Sequence, residues 1–294
     1  AAALISRTHP DVIVDFTNAG WTPKLTRAAL DAGVRLVLGP TGLSDAFVAE
    51  LRDECAKRGI GPAVPADAVP ADAWDGVFAK LHRLEDTSDF DMNRMVNLLY
   101  AAGGDPAVPA ALWQKIEDAM LTFKYWYTDP TPAREVDGAP VTDMLWYWTE
   151  NHGLIFRSSE YLVSQKYPDR VFAVSGLTGR EQMARAKAFI LRWLDERARW
   201  WFTEWHSDVY YNWDMNPLIT LVEWADDPEI AYRAAMVLDL VMLDVALHLH
   251  RGTFGATHGR SYIKDKPAAE LEDTFSSAKF FFDDTVLPWG SRDA

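Results

Sequence analysis

The sequence predicts a mainly α chain, an array of helical hairpins preceded by a small partial α/β segment. Three observations predict it. A strand-helix-strand-helix pattern ends near residue 60, long helical periodicities fill the remainder, and a proline-rich joint separates the two. Charge and aromatic content divide at the same place. Residues 1–66 hold seven basic and seven acidic residues, so the whole net charge of −14 falls after residue 66. Trp21 is the only one of the thirteen tryptophans before that point. A chain of 294 residues is long enough for more than one core. The expected organisation is an α/β segment over 1–66, a linker over 67–73 and a helical domain over 74–294.

Taking the elements in order, DVIVDFT at 11–17 is a β-branched run that reads as a strand. LTRAALDAGVRLVLG reads as a helix closing at Gly33 and then an apolar strand from Val34 to Leu38. Strands joined in this way pair in parallel. Ser44 is placed to cap a second helix that ends at Gly59. Prolines among alanines and aspartates in GPAVPADAVPADAWDG mark the joint.

Beyond it, Ser88 is placed to cap a helix that stops at Gly103-Gly104, and Pro109 opens the next. Thr178 and Glu181 form a T-x-x-E capping box for a helix running to about Phe202. Asp227-Pro228 opens another, which is expected to reach His250 and stop at Gly252. Met183, Ala186, Ile190, Trp193 and Leu194 share one helix face, as do Leu112, Ile116, Ala119, Met120 and Phe123. Such stripes are core. No strand alternation of useful length follows residue 72.

DVIVDFTNAG and GPTGLSDAFVAEL resemble the middle of the nucleotide-binding domain of bacterial dihydrodipicolinate reductase, over about residues 4–64. The resemblance implies a half-Rossmann segment in which Phe16, Thr17, Gly39, Thr41 and Gly42 face NAD(P). The chain has no G-x-G-x-x-G, the loop whose amides hold a pyrophosphate. Pro40 stands where the family has Thr, and the family's paired histidines and substrate lysine have no counterpart. The expectation is a vestigial cofactor site, with no cofactor unless this segment is functional.

WYWTENHGLIF, SGLTGREQ, EWHSDVYY and THGRSY together resemble a bacterial group of polysaccharide-lyase-like α/α toroid proteins of unassigned activity, over about residues 74–288. The resemblance implies hairpins ringed around a cleft for an oligo- or polysaccharide.

Polar residues gather where such loops would converge. For β-elimination at a uronate, Asn151 would neutralise the carboxylate, His152 or His206 would take the C5 proton, Tyr210 or Tyr211 would protonate the leaving oxygen, and Arg260 would clamp the substrate. Glu150 stands where toroid alginate lyases have a second Asn, and its charge opposes a uronate. Trp148, Glu204, Trp205, His258 and Tyr262 complete the candidate substrate contacts. A glycoside hydrolase using Glu150, Glu204 or Asp208 is the alternative enzyme, and the net acidity suits its neutral glycan. A non-catalytic glycan-binding protein and a reductase-like protein are the others.

The acidic balance, without basic and aromatic interleaving, speaks against nucleic acid. Asp239 and Asp244 interrupt the most apolar helix, so no membrane span is expected and a cytoplasmic location is. The single Cys55 excludes an internal disulfide. No H-E-x-x-H or comparable spacing occurs, so no metal is expected; His206, His258 and Asp208 are the one trio considered. His248 and His250 lie two apart on a helix and point to different sides. His82 is expected to be exposed or capping.

Overall fold

A computed structural model describes residues 5–7, 12–15, 22–38, 46–47, 50–51, 54, 57, 72, 74–105, 108–136, 138–250 and 253–282. The chain divides into two compact units, Ala1–Ala71 with Pro106–Pro109, and Asp72–Asp105 with Ala110–Ala294.

In the first unit, strand β1 (Val12–Asp15) pairs in parallel with β2 (Arg35–Leu38), in the register Val12↔Arg35 to Asp15↔Leu38. Helix α1 (Thr22–Asp31) joins them. It ends where Gly33 takes φ +71°, a conformation that costs glycine nothing. Ile5, Ala29 and Val34 form the small apolar core here. The Ser44-capped helix start, Cys55, and the positions Phe16, Thr17, Gly39, Thr41 and Gly42 lie outside the described residues.

The second unit is mainly α. Its helices are α2 (Asp75–Arg83), α3 (Ser88–Ala102), α4 (Ala110–Thr122), α5 (Glu150–Lys166), α6 (Gly179–Trp200), α7 (Tyr210–Trp224), α8 (Pro228–His248) and α9 (Phe275–Phe282). Helix α5 packs against α3, α6 and α7, and α8 against α6 and α7. Being surrounded, α5 is buried along nearly its whole length, from Asn151 to Ser164. Among the described residues no helix is long and apolar enough to cross a membrane.

The helix signals hold with local corrections. Thr178 and Glu181 form the full capping box, and the Asp227 carboxylate accepts the Glu229 N–H at 3.0 Å. The predicted apolar stripes are buried at Ala186, Ile190, Trp193 and Leu194, and at Leu112, Ile116, Ala119, Met120 and Phe123. Ser88 is not an N-cap. Its hydroxyl donates to the Glu85 carbonyl at 2.6 Å, and Thr87, at φ 67°, precedes the first turn. Helix α6 stops at Trp200, because Trp201 takes φ 68°. Helix α8 stops at His248 instead of His250: Leu249–His250 (β5) pairs antiparallel with Thr253–Phe254 (β6), which buries Phe254 completely. A second short ribbon pairs Glu135–Val136 (β3) with Ala139–Pro140 (β4). Two-residue ladders leave no alternation to read in the sequence. His82 is half-buried in the last turn of α2, and its carbonyl accepts Arg134 Nε at 3.0 Å.

The centre of the unit is ionic as well as apolar. Glu160, fully buried on α5, is paired by Arg157 and by Arg185, whose Nε lies 2.9 Å from Glu160 Oε1. Arg185 also grips Asp129 through two bonds of 2.6 and 3.0 Å, and Arg157 lies 3.7 Å from the centroid of Trp126.

Candidate functional site

The cleft of interest opens at the N-terminus of α5. Thr149 is extended (φ −78°, ψ 162°), and the first helical turn then presents Glu150, Asn151 and His152. Unpaired N–H groups at such a terminus favour negative charge.

These three neighbours have three different fates. Glu150 turns away into an ion pair with Arg197, and its two oxygens accept the backbone N–H groups of Thr203 and Glu204 at 2.8 Å. With these bonds to Arg197 and two amides, Glu150 splices α5, α6 and the loop after it, and it does not line the cleft. Asn151 accepts the Thr149 hydroxyl through Oδ1 at 2.9 Å, while its buried Nδ2 has no partner. His152 places Nδ1 2.6 Å from Asp89 Oδ2, in the first turn of α3. That contact favours the tautomer with the proton on Nδ1 and leaves Nε2 with a lone pair. The imidazole is clamped in a stack, 5.0 Å from Phe90, which lies 4.1 Å from Trp213.

Opposite them stand two tyrosines and an arginine. Tyr210, the first residue of α7, places its hydroxyl 2.6 Å from that of Tyr262, to which Arg260 Nη2 donates at 3.0 Å. Burial pushes the Tyr210 phenol up to about 12, whereas the hydrogen bond from Tyr210 and the Arg260 guanidinium hold Tyr262 below its usual value. The two hydroxyls are hydrogen-bonded, and Tyr262, beside Arg260, is the more readily ionised of the pair.

Asp86, Trp146, Thr149, Asn151, His152, Glu204, Tyr210 and Arg260 line one cleft of about 610 Å³. Burial raises the Glu204 carboxyl, although Arg260 opposes the shift from 3.8 Å. A larger groove of about 1350 Å³, lined by Asn97, Asn212, Trp213 and Glu272 among others, includes no histidine or tyrosine.

Thus Asn151, His152, Tyr210, Arg260 and Glu204 come together, and Tyr262 joins them through Tyr210. Trp148 is exposed and stands 5.6 Å from Trp146, the tryptophan that does line the cleft. Trp205 is half exposed but outside the lining. His206 and Tyr211 do not line this cleft. Tyr211 is fully buried and bonds Asp244 and the Trp201 indole, and His206 is turned to Asp244 at 3.1 Å. His258 donates its Nδ1–H to the His206 carbonyl at 2.6 Å and is not among the residues that line the cleft. Asp89, Asp86 and Trp146 escaped the sequence reading; only an (i, i+63) pairing identifies Asp89.

Among the described residues, two clusters have ligand atoms mutually within 4.8 Å: His206, Asp244 and His248; and Asp208, His258 and Glu272. In the second, burial beside Asp208 and Asp265 pushes Glu272 up to about 7.

Beneath the cleft lies Asp214, 1% exposed, with Oδ1 unpartnered. Burial first, then Glu150 and Glu204, holds its carboxyl well above the usual range. The folded state therefore binds the proton more tightly than the unfolded chain does, and the resulting penalty grows as pH rises above the ordinary Asp value of about 3.9. Asp214→Asn is expected to gain melting temperature relative to the parent as pH is raised from acidic to neutral. A difference in melting temperature independent of pH would refute this.

Residues 2–66 match the family described as dihydrodipicolinate reductase, N-terminus. The 4-hydroxy-tetrahydrodipicolinate reductase of Bacillus velezensis is 44% identical over 59 residues, 20% of this chain and 22% of that protein. The reductase of the same name from Bacillus subtilis is 41% identical over 59 residues, 20% of this chain and 22% of that protein. That of Methanothermobacter thermautotrophicus is 33% identical over 92 residues, 31% of this chain and 33% of that protein. The chain thus spans a fifth to a third of these relatives' length. No solved structure matches the chain.

Proposed function

We propose that the helical unit is part of an α/α toroid and cleaves a uronate-containing polysaccharide by β-elimination. The observation that carries this reading is the convergence, in one cleft, of an unpartnered amide donor, an oriented imidazole and a tyrosine pair held by an arginine. Asn151 Nδ2 and the α5 N-terminus bind the uronate carboxylate, so that charge developing on C5 is delocalised into a neutralised group. His152 Nε2 takes the C5 proton. The C–H electron pair forms the C4=C5 double bond, the C4–O4 bond breaks, and the Tyr210 hydroxyl protonates O4. Trp146 and Trp148 offer faces for sugar stacking. The acidic surface is offset locally by Arg260.

Elimination is preferred to hydrolysis because His152, Tyr210 and Asn151 converge in the cleft; the carboxylate pair open to a hydrolase there is Glu204 with Asp86, since neither Glu150 nor Asp208 lines it. The test is incubation with alginate, pectate, hyaluronan and a neutral glucan, followed by ultraviolet absorbance of the conjugated unsaturated product. Absorbance growth on a polyuronate supports elimination. Sugar binding without product, or reducing ends without absorbance, overturns it in favour of a glycan-binding protein or a hydrolase.

A second reading applies to residues 2–66, where the family match and the parallel β1-α1-β2 arrangement favour a nicotinamide nucleotide as ligand. Titration of NADPH, followed by its fluorescence, checks this. An unchanged emission at high protein concentration removes the reading.

A further inference from the structure

We propose that Asp208, His258 and Glu272 bind a divalent cation of the Zn²⁺ or Mn²⁺ class, which fastens the segment bearing Arg260 and Tyr262 to the segment leading into Tyr210. The three residues come from separate stretches: the loop before α7, the loop after β6, and the turn before α9. One ligand atom from each lies within 4.8 Å of the others.

Hydrogen bonding already orients these groups as ligands. His258 Nδ1 lies 2.6 Å from the His206 carbonyl, which can only accept, so Nδ1 carries a proton and, in the neutral ring, Nε2 is left as the ligand atom. This is the outer contact that orients metal-bound imidazoles. Asp208 is 1% exposed; Oδ2 accepts the Ser261 hydroxyl at 2.8 Å, and the buried Oδ1 has no partner. Glu272 Oε2 is also buried without a partner. His258 Nε2 and Glu272 Oε1 are 4.0 Å apart, too far for a hydrogen bond. Two ligands at about 2.1 Å from one ion stand roughly 3–4 Å apart, so a small adjustment suffices.

The cluster therefore points acceptors at one another with no donor between them. Buried polar atoms without partners are rare in folded proteins, and here a cation beside Asp208 and Glu272 meets the unpartnered oxygens of both. One imidazole with carboxylates suits Zn²⁺ or Mn²⁺ better than Ca²⁺ or Mg²⁺, which prefer all-oxygen sites.

The surroundings explain what such an ion would hold. Gly259 N–H donates to the Trp205 carbonyl at 2.7 Å, Ser207 Oγ to the Arg260 carbonyl at 3.0 Å, and Thr274 N–H to the Asp208 carbonyl at 2.9 Å. A Cβ at Gly259 would meet the Trp205 carbonyl oxygen at 2.9 Å, so the two loops touch backbone to backbone. An ion at Asp208, His258 and Glu272 would lock this seam, which carries Arg260 and Tyr262 toward Tyr210. The inference needs no turnover and stands apart from the catalytic reading.

The test uses the full chain, stripped with chelator and titrated with ZnCl₂ or MnCl₂, with MgCl₂ as control. Metal content after desalting and the melting temperature are read. We expect close to one equivalent of Zn²⁺ or Mn²⁺ per chain and a raised melting temperature. In Glu272→Gln and His258→Ala, affinity should fall by about 100-fold or more, since even outer partners of metal ligands cost 10- to 100-fold. Glu272→Gln preserves shape, so it reports even where Asp208→Asn does not fold. His248→Ala, which alters only the neighbouring cluster, should bind as the parent does. Substoichiometric metal in the parent, retention of binding in both Glu272→Gln and His258→Ala, or loss confined to His248→Ala would each overturn the proposal.

Discussion

His152→Ala is expected to lower the elimination rate by about 10²–10⁴-fold, the contribution of a positioned general base. The imidazole can serve because its other nitrogen is engaged by Asp89 at 2.6 Å and its plane is fixed against Phe90. Removing it leaves Asp89, 1% exposed, as a buried carboxylate without that partner. A stability loss of about 1–3 kcal/mol is therefore expected in the same variant. The double variant His152→Ala/Asp89→Asn should recover much of that stability and none of the rate, which separates chemistry from folding. Asp89→Asn alone keeps the shape, but its amide can present N–H to Nδ1 and move the proton to Nε2, so kcat should fall while KM changes little. Initial rates on whichever polyuronate the parent cleaves, with melting curves for all three variants, check the argument. Parent-like turnover in His152→Ala would exclude His152 as the base.

Glu160→Ala is expected to have the largest effect on stability. Glu160 is fully buried between Arg157 and Arg185, and Arg157 has only 5% of its side chain exposed. Deleting the carboxylate strands a guanidinium away from water, for which a cost of about 3–5 kcal/mol is typical. For a unit of this size that corresponds to a fall in melting temperature on the order of 10 °C. Glu160 lies eight residues beyond His152 on α5, roughly 12 Å along the axis, so turnover well below the melting temperature should be near that of the parent. A fall of less than about 3 °C would show that the network contributes no more than surface ion pairs do.

The parts of this molecule that were legible in the sequence are those whose physics is local. The capping box at Thr178 and the cap at Asp227 depend on neighbours two or three positions away. Asn151, His152, Tyr210 and Arg260 could be singled out because each sits in a polar break within aromatic sequence, and the starts of α5 and α7 with the loop after β6 bring all four to one cleft. What was not legible depends on pairs distant in the chain. Glu150 and Arg197 are 47 positions apart, so the sequence shows a charge beside the site where the fold has an ion pair. Tyr211 and Tyr210 are adjacent and chemically identical, and only the direction of α7 decides that one meets the cleft while the other is buried against Asp244. Glu272 shares no motif with His258; the turn before α9 alone brings it to the cluster. The end of α8 was misplaced because burial of Phe254 outweighs another helical turn.

The hold of Asp89, by hydrogen bond, and of Phe90, by stacking, on His152 also bears on how the molecule is made. Asp89 leaves the ribosome 63 residues before the imidazole that will hydrogen-bond it. Until α5 has been synthesised, the first turn of α3 has no partner for its carboxylate and remains hydrated, whatever its apolar face could otherwise bury. Docking of α3 thus awaits α5, and closing so long a loop is an entropic cost met late in folding. Native-state hydrogen exchange should accordingly find the amides of α3 opening together with those of α5, as one cooperative unit.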